Sequence, residues 1–137
     1  MNILTKRFIT NVIVAAILSV IINVIVLAII RPITQAPSSF SPFEYGSVIE
    51  LTFLGVLAAG FVYVGIQRFY PQSYKKIFTW VAFISLIISC IPDILLPYST
   101  DADNQGATPF IVIILILMHI LTAGIVVWIF TERSLKK

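Results

Sequence analysis

Four polar side chains interrupt apolar stretches of the chain: Asn23, Glu50, Asp93 and His119. Two carboxylates and an imidazole can pass a proton between them or hold a cation, and an asparagine amide can position either group. Burying an ionisable group at membrane depth costs about 2.5–3.5 kcal/mol on insertion scales, so such residues usually face protein or water. Each also has a plainer reading. Glu50 lies three residues after Ser47 and fits a cap on its own helix. Asp93 lies about one turn from a span end and can reach the interface. Asn23 fits a helix-packing contact. His119 fits a hydrogen-bonded structural histidine, although it is hard to place against lipid. Counted from the outer span ends, at 5.4 Å per turn, the four residues fall within a band of roughly 10 Å. The depths therefore predict one candidate intramembrane polar site, formed by Glu50, Asp93 and His119 with Asn23 at its edge.

The elements that position these residues are set by composition. Of the 137 residues 59% are hydrophobic and 11% charged, whereas a soluble domain carries roughly 25% charged residues. About 20 apolar residues cross the hydrocarbon of a bilayer as a helix. Four runs are long enough, at about 8–30, 42–67, 77–96 and 109–130. The first reads as an uncleaved helix, because it exceeds the ~7–15 apolar residues of a signal peptide and no A-x-A site follows. The fold class is therefore all-α: a four-helix transmembrane bundle, up-down-up-down, in a single membrane domain spanning residues 1–137.

Turn and cap chemistry places the boundaries. Arg31-Pro32 ends the first span. Ser41 as N-cap, Pro42 at N1 and Glu44 at N3 form a capping box, with Phe40 and Tyr45 spaced as a hydrophobic staple. Ser47 with Glu50 is a competing start, and the proline and staple favour Ser41. Pro92 is expected to bend the end of the third span and to free the Ile88 carbonyl as an acceptor near Ser89 and Asp93. Thr108-Pro109 repeats the cap-then-proline start.

Charge sets orientation. Lys6, Arg7, Arg68, Lys75, Lys76, Arg133, Lys136 and Lys137 fall on one side of the spans and Arg31 on the other. The positive-inside rule places the eight, and both termini, in the cytoplasm. The chain then belongs in a cell inner membrane as a multi-pass protein. The net charge of +3 is used for that orientation, and nucleic acid is not an expected partner. The lone Cys90 excludes an internal disulfide and a CxxC pair, and one Cys with one His cannot form a structural zinc site. No metal is expected and no cofactor pattern is present: there is no GxSxG, HExxH or phosphate-binding glycine loop.

Small residues mark expected helix contacts, since close approach rather than hydrophobicity joins helices in lipid. Ala15, Ser19 and Asn23 line one face of the first helix. The second offers two faces, one with Glu50, Leu54, Leu57 and Phe61 and the other with Gly55, Ala59 and Val62. Each is expected to meet a neighbouring helix or a second subunit.

The third span reads Ser85-Leu-Ile-Ile-Ser-Cys-Ile-Pro92-Asp93 and the fourth Leu117-Met118-His119-Ile-Leu-Thr-Ala123. On these motifs, Ser…Pro-Asp and Met-His…Ala, the chain resembles a family of small four-span bacterial membrane proteins described only as a domain of unknown function. The resemblance implies a bacterial membrane and adds weight to Pro92, Asp93 and His119 without giving them a role. Small multidrug exporters fit less well, because their acidic residue lies in the first span.

Three functions follow from these features. The first is a structural or regulatory membrane protein whose polar cluster fastens the bundle or binds a partner subunit or another copy. The second is a proton- or cation-coupled transporter or channel component. The third is a membrane enzyme acting on a lipid-soluble substrate. A water path to His119, a lipid-facing pocket, or mutually satisfied polar groups would distinguish them.

Overall fold

The computed structural model describes residues 3–34, 40–104 and 106–132. Arg133, Lys136 and Lys137, which contribute to the charge argument, lie outside the described residues, as do residues 35–39 of the first loop. The helices are α1 (Ile3–Thr34), α2 (Tyr45–Phe69), α3 (Tyr74–Leu95) and α4 (Pro109–Thr131). No strand occurs among the described residues. Each helix carries a stretch long and apolar enough to cross a membrane, with mean hydropathy between 2.0 and 3.2.

The boundaries differ from the sequence reading in instructive places. Helix α1 continues through Arg31 and Pro32 to Thr34. Proline removes only its own N–H and hinders one earlier carbonyl, so in a last turn it costs a single ladder bond. Ser41–Phe43 form a short 3-10 turn rather than the start of α2. Glu44 then adopts extended backbone as the N-cap of α2, without a side-chain cap bond. The capping box and the Phe40–Tyr45 staple are therefore absent. Phe40 instead packs edge-on against Phe43, with ring centroids 5.3 Å apart. Tyr45 turns outward, beneath the Arg31 guanidinium, 5.5 Å from its ring centroid. Thr108 does cap α4, its hydroxyl accepting from the Ile111 amide at 3.3 Å with Pro109 at N1.

Two apolar clusters hold the bundle, one near each end. In the first, aromatic rings from all four helices meet. Tyr63 stacks on Phe130 with centroids 4.9 Å apart, and Phe78 meets both edge-on. Phe8 lies 6.4 Å from Phe130 and Tyr74 lies 5.7 Å from Tyr63. Val12, Ala15, Ala16, Val56, Val126 and Ile129 complete this cluster. The second holds Leu27, Val48, Ile111, Ile114, Leu115 and Met118, with Phe40 and Phe43 folded in from the connecting loop. Leu96, in the short turn after α3, packs against its edge.

Helix α2 buries only parts of the two faces read from sequence: Leu57 of one and Ala59 of the other are partly buried against the first cluster. Its buried stripe is Val48, Thr52, Val56, Gly60 and Tyr63, which runs between them. Gly55 is exposed, and a Cβ built there meets nothing within 4 Å. The close approach occurs at Gly60, where a Cβ would lie 3.0 Å from Val12 Cγ2. The face read on α1 is the buried one: Ala15, Ser19 and Asn23 are all under 4% exposed.

Candidate functional site

Between the two apolar clusters, in chain order on every helix, lies a polar band: Ser19 and Asn23 on α1, Thr52 on α2, Asp93 on α3, His119 and Thr122 on α4. Polar groups removed from water need partners, since an unpaired one costs several kcal/mol in hydrocarbon. The band satisfies most of this demand internally. The Asn23 amide donates to the Thr52 hydroxyl at 3.0 Å and to the Thr122 hydroxyl at 2.9 Å. One side chain of α1 thus ties α2 and α4 together. The same amide's Oδ1, and the neighbouring Ser19 Oγ one turn earlier, are buried with no hydrogen-bond partner among the described residues.

A second contact joins α3 to α4. His119 Nδ1 lies 3.2 Å from Asp93 Oδ2 and 2.9 Å from the Leu115 carbonyl oxygen. A carbonyl oxygen only accepts, so Nδ1 carries the proton and donates it to the Leu115 carbonyl. Asp93 Oδ2 is near the ring but buried with no hydrogen-bond partner among the described residues. Nε2 takes part in neither contact. The His119 side chain is 39% exposed while that of Asp93 is 12% exposed.

The four residues singled out from sequence therefore divide. Asp93 and His119 meet. Asn23 lies in the same band but bonds to threonines rather than to either ionisable group. Glu50 stands apart: it is exposed on α2, which corrects its expected place in a converging site. The reason is helical phase. Glu50 precedes Thr52 by two residues, about 200° round the helix, and Thr52 is the residue that faces Asn23. Depth alone brought Glu50 into the band, and azimuth takes it out. Ser89 likewise points its hydroxyl to the Leu86 carbonyl at 2.8 Å rather than toward Asp93.

Sequence reasoning missed Thr52 and Thr122. Threonine in a helix readily bonds a carbonyl of the preceding turn, as Thr10, Thr79 and Thr131 do here, so a threonine within a span carries little signal. No cluster of three or more His, Cys, Asp or Glu able to hold a metal occurs among the described residues.

No curated protein and no solved structure matches the chain. A family model does match, over residues 4–136, which takes in all four helices and every residue of the polar band. The chain is a member of the family of unknown function DUF6069.

Proposed function

We propose that this chain is a structural or regulatory protein of the inner membrane, whose intramembrane polar band fastens four spans and presents the bundle to a partner subunit or a second copy. The spans run up-down-up-down with both ends in the cytoplasm. The alternation of direction is supported by the cross-helix pairs Phe8–Phe130, Asn23–Thr52, Tyr63–Phe78 and Asp93–His119, which match levels on helices running opposite ways. Exposed Trp80 and Trp128 suit an interfacial belt at the basic side.

The observation that carries the fastening role is Asn23, one buried amide bonded to hydroxyls of two other helices. Interhelical hydrogen bonds of this kind contribute about 0.6 kcal/mol on average and up to about 1.7. The test is purification in native lipid with and without Asn23→Ala, reading melting temperature and co-purifying proteins together. A lower melting temperature together with loss of a stoichiometric partner, or of self-association, supports the reading. An unchanged melting temperature removes the fastening role.

A second reading is favoured by one observation, the Asp93 carboxylate 3.2 Å from the His119 imidazole, a proximity that also suits proton transfer. Proton flux into liposomes holding a pH-sensitive dye tests it. Flux lost in Asp93→Asn with the fold intact supports this second reading over the first.

A further inference from the structure

We infer that the polar band binds one buried water molecule, held on α1 between the Ser19 hydroxyl and the Asn23 side-chain carbonyl. This deepens the fastening role and rests on it, because the threonine bonds of Asn23 hold its amide in position.

The argument begins with two polar atoms and their surroundings. Ser19 is 1% exposed and Asn23 3%. Ser19 Oγ and Asn23 Oδ1 bond neither to each other nor to any other described residue. The Asn23 amide is not free to turn toward a partner. Its Nδ2 donates to Thr52 on α2 and to Thr122 on α4, and fixing the nitrogen at two points also fixes Oδ1, on the other arm of the planar amide. Ser19 forgoes a bond within easy reach. A hydroxyl in a helix readily donates to a carbonyl of the preceding turn, and Thr10, Thr79, Ser89 and Thr131 all do so. Ser19 makes no such bond. Hydrocarbon supplies no hydrogen bond to either atom, so leaving both unpaired is costly.

Helical geometry brings the two atoms within reach of one small molecule. Residues four apart lie within about 40° of each other round the helix, with Cβ atoms about 5–6 Å apart. Helical side chains lean toward the N-terminus, so the Asn23 amide leans back over the turn that carries Ser19. Two hydrogen bonds of about 2.8 Å each let a single water join oxygens up to about 5.6 Å apart. Apolar packing encloses the pair along the helix. Ala15 and Ala16 of the first cluster lie on one side, and Leu27 of the second on the other.

The chemistry of the two atoms selects water. Asn23 Oδ1 only accepts, whereas the Ser19 hydroxyl both donates and accepts. The ligand must therefore bring a hydrogen to the amide oxygen and can exchange either kind of bond with the serine. A buried cation needs opposite charge, and the carboxylate of the band, Asp93, is set beside His119 where α3 meets α4. Water is neutral, donates twice and accepts twice, and buried waters typically join otherwise unsatisfied groups in this way. Bound here, it gives Asn23 a third bond and extends the band along α1 to Ser19.

The test reads water at single carbons. The full chain, labelled with carbon-13, is placed in phosphatidylcholine bilayers, and solid-state NMR follows proton polarisation passed from water to each site. The expected result is early signal at Ser19 Cβ and Asn23 Cγ, with none at Ala15 or Leu27, which are equally buried on the same helix. Ser19→Ala removes one anchor and should abolish the Asn23 Cγ signal while the Thr52 and Thr122 resonances stay in place. Four results overturn the site: no transfer to Ser19 and Asn23; equal transfer to Ala15 and Leu27; an Asn23 signal that survives in Ser19→Ala; or an Asn23 Cγ shift when sodium chloride is replaced by choline chloride, which marks a cation instead. None of these breaks the threonine bonds of Asn23, so the fastening role, read by Asn23→Ala, stands or falls separately.

Discussion

Two glycines on the same helix should respond oppositely to the same methyl group. At Gly60 an added Cβ lies 3.0 Å from Val12 Cγ2, 3.6 Å from Phe8 Cζ and 3.8 Å from Phe130 Cζ. Replacing glycine with alanine in a helix gains about 0.5–1 kcal/mol from backbone entropy. Against that, overpacking typically costs about 1–3 kcal/mol. Val12 must retreat by a few tenths of an ångström, and it is buried at 8% exposure. As a β-branched residue in a helix it has one strongly preferred rotamer, so the shift must be shared with the α1 backbone. Gly60→Ala should therefore lose about 0–2.5 kcal/mol net, and Gly60→Val more, because its added methyls extend toward the Phe8 and Phe130 rings. Gly55→Ala gains the same entropy with no neighbour within 4 Å and should be neutral or stabilised by up to about 1 kcal/mol. The assay is unfolding in mixed micelles titrated with denaturing detergent, each variant compared with the parent. The reasoning fails if Gly60→Val is as stable as the parent, or if Gly55→Ala loses more than Gly60→Ala.

Other outcomes follow from contacts already described. Asn23→Ala removes two interhelical bonds and should lower stability by about 1–2 kcal/mol. A double-mutant cycle with Thr122→Val should show coupling, while a pairing with Glu50→Gln should show none. Phe130→Ala opens the aromatic cluster and should cost about 3 kcal/mol, near the lower end of large-to-small changes, because little hydrophobic transfer is at stake between helices in lipid. Cysteine placed at Asp101 or Asp103 in a Cys90→Ala background should react with membrane-impermeant maleimide from outside the cell. Labelling from the cytoplasmic side alone would reverse the proposed topology.

Much of the architecture is legible because the membrane imposes a length and a composition on each span. Helix ends with a local chemical signal, such as Thr108-Pro109, are readable in the same way. Azimuth is less readable. Every face of a membrane helix is apolar, so hydrophobic periodicity does not say which way α2 turns. Depth could be counted for Glu50, but its direction depends on Thr52 meeting Asn23, a contact between residues 29 positions apart. Ser41 fails as a cap for a related reason. Its local signals are strong, yet burying Phe40 and Phe43 in the second cluster outweighs them. The aromatic cluster was invisible for want of any marker that distinguishes Tyr63, Phe78 and Phe130 from aromatic residues facing lipid.

Helix α3 buries only Phe78 and Asp93, and its ring and ion-pair contacts to Phe130 and His119 are with α4. In biogenesis α3 leaves the ribosome before those partners exist. Until α4 emerges, Asp93 lacks the imidazole that later lies 3.2 Å from it, and a lone carboxylate in a span is costly to insert. The expected consequence is that α3, whose earlier partner is Tyr63 of α2 alone among these rings, inserts fully only when the last helix delivers His119. A released chain ending at residue 108 should accordingly insert its third span less completely than the full chain, which would make the final helix a checkpoint on the one before it.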